Sequence, residues 1–528
     1  MKIPTEAKRN RQQGRRTRSR KGGLSFGNPY NEGRIGMNRL IHQFRSSRVL
    51  AMGIAVGSAL ALVVAMSLLA AGSAAAQTAS ASALAPTAKD PGVRGGAPGA
   101  GDPIAGLTNN EQTFFFAGLG NFEETENLAD GLGPRFNLDS CVGCHSQPAV
   151  GGTSPAVNPE VAVATAFGAN NTVPSFITAN GPVREARFVK KADGTADGGV
   201  HDLFVISRRN DGSANASGCT ITQDDFATQV QNNNVIFRIP TPTFGLGLVE
   251  GIDDATLKAN IAANNSVKAG LGIRGHFNVS GAVNTNGNDG TITRFGWKAQ
   301  NKSGLLFAGE AYNVEMGITN EIFQTERDET ATCQFASVPN SIQNMDSMDS
   351  GAPTDAALGA TPDIQNFANF MRMLGPPQPV SSYTGANGVV TAASIANGRQ
   401  QFTNVGCYLC HTPTLTTNPN TSIGALAGQA VNAFSDFALH GMGPGLADGI
   451  NQGAANGDEF RSAPLWGLGQ RIFLLHDGRT TDLRTAINAH KSARNSQFPA
   501  SEANGVVNNF NALSAKNQQD LFNFLRSL

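Results

Sequence analysis

Cys407-Tyr408-Leu409-Cys410-His411 is a CxxCH pentad, and the same spacing recurs at Cys141-Val142-Gly143-Cys144-His145. Two thiols separated by two residues share a helical turn, where each can form a thioether with a haem vinyl group while the next imidazole turns to the iron. The competing readings are a redox dithiol and half of a metal site built on four cysteines. Neither pentad has a second CxxC nearby to complete such a site. Together they point to two covalently bound c-type haems, attached through Cys141, Cys144, Cys407 and Cys410, with His145 and His411 as proximal ligands.

The chain around the pentads has 528 residues, 40% of them hydrophobic, with 61 Gly and 25 Pro, which suits a loop-rich globular protein of several domains. Its formal net charge of zero conceals an asymmetry. The first 76 residues hold 13 Lys/Arg against Glu6 and Glu32, leaving 27 basic and 38 acidic residues beyond them, a net of −11. So acidic a remainder offers no basic stripe for phosphates and excludes nucleic acid as a partner. It fits a small basic electron-donor protein, such as a basic cytochrome.

Residues 49–76 carry no charge, follow Arg45 and Arg48, and end in Ala74-Ala75-Ala76. They read as a secretory signal cleaved after Ala76, with an uncleaved membrane anchor as the alternative and Met37 as an alternative start. The expected location is periplasmic or otherwise exported, with the membrane touched only through an uncleaved leader. In such an oxidising compartment the two remaining cysteines, Cys219 and Cys333, are either bridged or unpaired buried thiols.

Residues 77–105, dominated by Ala, Gly, Pro, Ser and Thr, read as a flexible tether. An N-terminal haem domain is expected over 106–377. It opens on the capping box Thr108-Asn109-Asn110-Glu111 and a helix bearing Phe114, Phe115 and Phe116. Within it, residues 153–294 read as an inserted β- and loop-rich region, with strands around Val200–Ile206 and Val235–Ile239. Helical spacing over 361–374 stops at Gly375-Pro376-Pro377, which marks the boundary with a C-terminal haem domain over 378–528. The expected fold is mainly α, with two c-type cytochrome domains each carrying one covalent haem. Its last helix is capped by Ser514 and buries Leu521, Phe524, Leu525 and Leu528.

Further motifs carry a family resemblance. Phe460-Arg461-Ser462-Ala463-Pro464-Leu465-Trp466-Gly467-Leu468-Gly469, Leu474-Leu475-His476-Asp477-Gly478-Arg479, Arg294-Phe295-Gly296-Trp297-Lys298-Ala299 and Ser435-Asp436-Phe437-Ala438-Leu439-His440-Gly441-Met442-Gly443 resemble the di-haem c-type oxidoreductases, also labelled thiol oxidoreductases. That family is similar to bacterial di-haem cytochrome c peroxidases. The resemblance spans about residues 105–528 and implies an oxidoreductase with two haem domains face to face. Electrons would enter at the C-terminal haem and a small oxidant such as peroxide would react at the N-terminal one.

It also implies residue roles. His490 takes the position of the distal ligand of the C-terminal haem, with Met442 as competitor and a solvated helix-end histidine as the bland alternative. Glu315 falls where the peroxidases carry their distal glutamate, or else is a surface carboxylate. Trp297 would lie between the haems as an electron conduit, or be core. Arg461, Arg471 and Arg479 are candidates to pair haem propionates. Two functions of other kinds stay open: a pure electron-transfer cytochrome, and oxidation of a thiol or another reduced substrate.

Overall fold

The computed structural model describes residues 87–166, 171–206, 218–279, 291–334 and 361–528, all within one unit, Ala81–Leu528. The leader and the first part of the expected tether lie outside the described residues. Among the described residues no helix is long and apolar enough to cross a membrane.

Two helix crossings organise the chain, one near each pentad. Helix Asn109–Glu123 begins at the full Thr108/Glu111 capping box and buries Phe115 and Phe122. It crosses helix Asp363–Met373 at Gly118, where a Cβ would collide with the Asn366 carbonyl. Helix Ala392–Val405, capped by Thr391, crosses the terminal helix Ala515–Leu525, capped by Ser514 as expected. Gly398 meets the Asp520 carbonyl there with the same lack of room. Both crossings need glycine because backbone must approach backbone. Phe116 departs from the expected apolar load, being 53% exposed.

The architecture is helical with small antiparallel sheets. In the region expected as an insertion, Glu185–Phe188 lies between Val200–His201 and Val235–Arg238, with Glu185 opposite Arg238 and Arg187 opposite Ile236. The expected strand around Val200 is broken. Val200–His201 stays in this sheet, whereas Phe204–Val205 pairs with Arg135–Phe136, just before the first pentad. At the break, buried Asp202 accepts from Arg327 Nε at 3.1 Å and the Leu203 amide donates to Asn137 Oδ1 at 2.8 Å.

The hydrophobic core around the first pentad also recruits Leu415, Leu426, Val431, Phe437 and Trp466 from beyond residue 377. A second core joins Phe402, Phe434 and Phe510 to Leu521–Leu525 and Leu528. Cys219 and Cys333 form a disulfide, with Cα atoms 4.6 Å apart, across a sequence separation of 114 residues.

Residues 87–105 are not the free tether that their composition suggests. Ala88 enters the second core, the Arg94 amide donates to the Gly469 carbonyl at 2.7 Å, and Ile104 donates to Met373. Asp90 is paired with the wholly buried Arg526 through contacts of 2.9 and 2.8 Å and accepts from the Leu483 amide at 2.8 Å. The physical reason is polar: these residues supply a carboxylate and carbonyls to groups that the C-terminal core would otherwise bury unpaired.

Asp90→Asn strands the Arg526 guanidinium and should lower unfolding free energy by about 3–5 kcal/mol, measured by chemical denaturation. A loss under about 1 kcal/mol would show that this pair carries little of the docking.

Candidate functional site

Each pentad opens onto its own cavity. In the first, Cys141–Cys144 is a single helical turn after Ser140, and the His145 amide closes it on the Cys141 carbonyl at 3.0 Å. The surrounding open space is about 1170 Å³, lined by Cys141, Cys144, His145, Glu160, Glu185, Arg187, Arg238, Trp297, Glu310 and Glu315. In the second, about 1410 Å³, Cys407, Cys410 and His411 share the lining with His440, Met442, Arg461, Arg471, His476, His490 and again Trp297.

The four pentad cysteines are free thiols. Burial pushes Cys141 and Cys144 well above the ordinary thiol range and Cys407 up to about 12. Reactive dithiols need the opposite shift, so these environments argue against the redox-dithiol reading. Among the described residues no three His, Cys, Asp or Glu side chains gather as a site for a metal ion alone.

Three histidines share one arrangement. His145 Nδ1 lies 2.9 Å from the Gly152 carbonyl, His411 Nδ1 is 3.0 Å from that of Phe434, and His490 Nδ1 is 2.8 Å from that of Ala486. A carbonyl can only accept, so each Nδ1 carries the proton and each Nε2 keeps its lone pair for a metal. Burial holds all three imidazoles below their usual pKa. His411 falls to about 4, with His490, on the same cavity, as the next cause. These are the three positions expected to bind iron.

The other described histidines are engaged differently. His440 lies between Asp436 at 3.0 Å and Glu502 at 3.1 Å, so neither nitrogen is free. His201 is likewise held by Asp224 and Asp197, and His276 by Glu459. His476 stacks on Phe460 with centroids 4.3 Å apart and meets Trp297 edge-on at 6.3 Å. Met442 lines the second cavity and packs with Leu446 and Phe460.

Trp297 borders both cavities. It follows Gly296, whose φ of +81° and lack of space beside Gln300 admit no side chain, and its Nε1 donates to the Ile239 carbonyl at 2.8 Å. The next residue, Lys298, is wholly buried, with Nζ 2.9 Å from Asp448 and 4.2 Å from the Phe460 ring centre. Asp448 also accepts from Arg238 at 2.7 Å.

Glu315 lies in the last turn of helix Gly304–Met316 and faces the first cavity, so it is not a surface carboxylate. Asn137 Nδ2 donates to its Oε2 at 2.7 Å, and the Asn137 amide donates to its carbonyl, also at 2.7 Å. Burial, then the charge of Glu185, pushes Glu315 well above the usual carboxylate range. Glu160, Glu185, Arg187, Arg238 and the Lys298/Asp448 pair escaped the sequence reading. The one available signal was the alternation of Glu185 and Arg187 inside a strand.

The residues fit haem. Each cavity presents two thiols and an available imidazole. The second also presents Arg461 and Arg471, both buried and both driven down to about 10, first by burial and then by a neighbouring guanidinium. Neither forms an ion pair among the described contacts, and Arg461 Nε has no hydrogen-bond partner. Buried cations call for counter-charge, which the two propionates of a haem carry. Arg479 instead pairs with Asp477 and is 41% exposed, so it departs from its expected propionate role.

Residues 187–528 match the family described as "Di-haem oxidoreductase, putative peroxidase", and the chain belongs to that family. Two haems are what membership implies. No curated protein matches the chain. Among solved structures, Kuenenia stuttgartiensis hydrazine synthase, pressurized with 20 bar xenon, aligns with 34% of this chain at 18% identity and a TM-score of 0.20. The match spans 66% of that structure's chain, just under two thirds, and carries no argument here.

Glu160 gives a test of the first cavity's polarity. Burial raises it to about 8, against hydrogen bonds from Asn158 and Arg184 that lower it. A carboxyl raised on folding costs stability as pH climbs from its unfolded pKa of about 4.5 through its folded one. Glu160→Gln should therefore match the native protein near pH 4 and exceed its stability by about 5 kcal/mol at pH 9, measured by denaturation at each pH. An equal difference at both pH values would refute the assignment.

Proposed function

We propose that this member of the di-haem oxidoreductase family is an exported peroxidase-like enzyme that reduces a small hydroperoxide in the first cavity with electrons received through the second. The observation that carries this reading is the inequality of the cavities. In the second, His411 and His490 both line the space with unprotonated Nε2 atoms. Among the described residues of the first, His145 is the lone imidazole, and the charged side chains beside it are the carboxyl groups of Glu160, Glu185, Glu310 and Glu315 and the guanidinium groups of Arg187 and Arg238.

Cys141 and Cys144 would hold one haem by thioethers and Cys407 and Cys410 the other. His145 and His411 would be their proximal ligands, and Arg461 and Arg471 would pair propionates. Bound haem would supply an iron to hold the peroxide and the electrons that reducing the O–O bond consumes. The chain's own part in the first cavity is protonic. The Glu315 carboxyl, held by Asn137, gives a proton to the departing oxygen and takes up the one left on the other. In the second cavity a second imidazole in place of a thioether lowers the potential, as befits an electron port.

Trp297, the aromatic residue on both walls, would be the route between them. The disulfide Cys219–Cys333 supports an oxidising, exported setting. The net charge of −11 past residue 76 supports a small basic cytochrome as donor.

Electron paramagnetic resonance of the oxidised holoprotein tests this. One high-spin signal that changes on adding peroxide is expected. Two low-spin ferric signals, unaltered by peroxide and with no high-spin signal appearing on half-reduction, would instead favour pure electron transfer. His490→Ala should convert one low-spin signal and spare the other, and an unchanged spectrum would remove His490 as a ligand. Glu315→Gln should slow peroxide turnover by about 10²–10⁴-fold while peroxide still binds, as read from its spectral titration. Unaltered turnover would reject Glu315 as the proton carrier.

A further inference from the structure

Glu185 stands beside Glu315 in the first cavity, brought there by a different part of the chain. It opens strand Glu185–Phe188, and strand alternation puts Arg187 on the same face. The register sets Arg238 directly opposite Glu185 on strand Val235–Arg238. Arg187 Nε contacts Glu185 Oε1 at 2.6 Å, while its Nη1 donates to the Gly198 carbonyl at 2.9 Å. Glu185 is thus a carboxylate with a buried cation on its own strand and another on the neighbouring one. Glu315 is hydrogen-bonded instead by the Asn137 amide, and Arg187 acts on it as a weaker charge, behind Glu185 and Glu310.

The two carboxyl groups are within hydrogen-bonding reach of each other. Two ionised carboxylates hold no donor between them, so their contact requires one proton. The surrounding charges say where it resides. Burial opposes the charge of Glu185, but Arg187 and then Arg238 hold it below the usual range. Burial and the Glu185 charge both favour the neutral form of Glu315, and Asp202 adds to them. Glu160 and Glu310 are the other carboxyl groups on this cavity.

We propose that Glu185 and Glu315 act as a one-proton pair, with the proton on Glu315 and the charge on Glu185, so that Glu185 is the positioning residue that keeps the cavity's proton donor loaded. This rests on the peroxidase reading for its use, and it gives the region expected as an insertion a part in the chemistry. With hydrogen peroxide, Glu315 gives its proton to the leaving oxygen, which departs as water with the O–O bond pair, while the proton on the other oxygen passes to the carboxylate pair, which ends with one proton as it began. Two electrons, which bound haems would supply and the protein electron donor would replace, and two protons from solvent bring the remaining oxygen to a second water, so that peroxide, two protons and two electrons give two waters.

Infrared difference spectroscopy of the resting, haem-loaded full chain tests the pair without turnover. Native protein minus Glu315→Gln should show the band of a protonated carboxyl at neutral pH. In a Glu185→Gln background the same subtraction should show that band disappearing at a pH lower by about one unit or more, because the neighbouring charge is gone and Arg187 is released. No such band in the native protein, or a titration unmoved by Glu185→Gln, overturns the proposal. Should Glu185→Gln fail to fold, Glu185→Asp keeps the charge for Arg187 but draws it back by one methylene. It should move the titration in the same direction, and an unmoved titration there is equally fatal. The outcomes separate from those for the peroxidase reading. The expected shift in a protein that does not turn over peroxide removes that reading alone, whereas an unmoved titration in an active peroxidase removes the pair alone.

Discussion

Asp448 is the carboxylate on which the wall between the two cavities depends. It is wholly buried and holds Arg238 at 2.7 Å and Lys298 at 2.9 Å. Burial opposes its charge, yet the two cations keep it below the usual carboxylate range. Without it, two desolvated cations would face each other across a region of low dielectric, at a cost that packing does not offset. Arg238 belongs to the strand that borders the first cavity, and Lys298 adjoins Trp297 and sits over Phe460, which stacks on His476 in the second. One side chain therefore fixes the sheet on one side and the aromatic group on the other. The segments that meet here are far apart in sequence, so the contact sets the spacing of the cavities as well as their polarity.

The parts of this design legible in the sequence are those whose chemistry demands local spacing. CxxCH is one turn long, capping boxes and helix stops are four residues long, and Thr108 and Ser514 cap where their patterns say. The inward placement of His490, Glu315 and Trp297 was legible only through family resemblance. Glu185, Arg187 and Arg238 were missed because their importance lies in cross-strand register and burial, and neither has a local signature. Residues 87–105 were misread for a related reason. Low hydrophobicity suggests a solvated chain, but this segment docks through Asp90 and backbone carbonyls, which composition does not weigh. The break between Val200–His201 and Phe204–Val205 was hidden too, since strand-like spacing does not announce that a buried Asp202 divides the run and that its two ends join different sheets.

The histidines show how far one residue type can be divided by what its second nitrogen touches. His440 is hydrogen-bonded to Asp436 and Glu502, one at each ring nitrogen, and despite its burial the neighbouring Cys410 thiol and then Asp436 push it well above its usual pKa, so neither nitrogen is left to offer a metal. His145, His411 and His490 lean on neutral carbonyls, and burial keeps them uncharged, with Nε2 available. The cavities extend the same division to their remaining charge. The second keeps guanidinium groups without carboxylate partners among the described contacts, a surrounding that a dianionic cofactor neutralises. The first keeps more carboxyl groups than cations, and one carboxyl there must remain protonated for its neighbour to stay charged. Buried cations answer to the charge of a cofactor and buried acids to the movement of protons, so on the proposed reading two cavities built on the same pentad would be suited to different work.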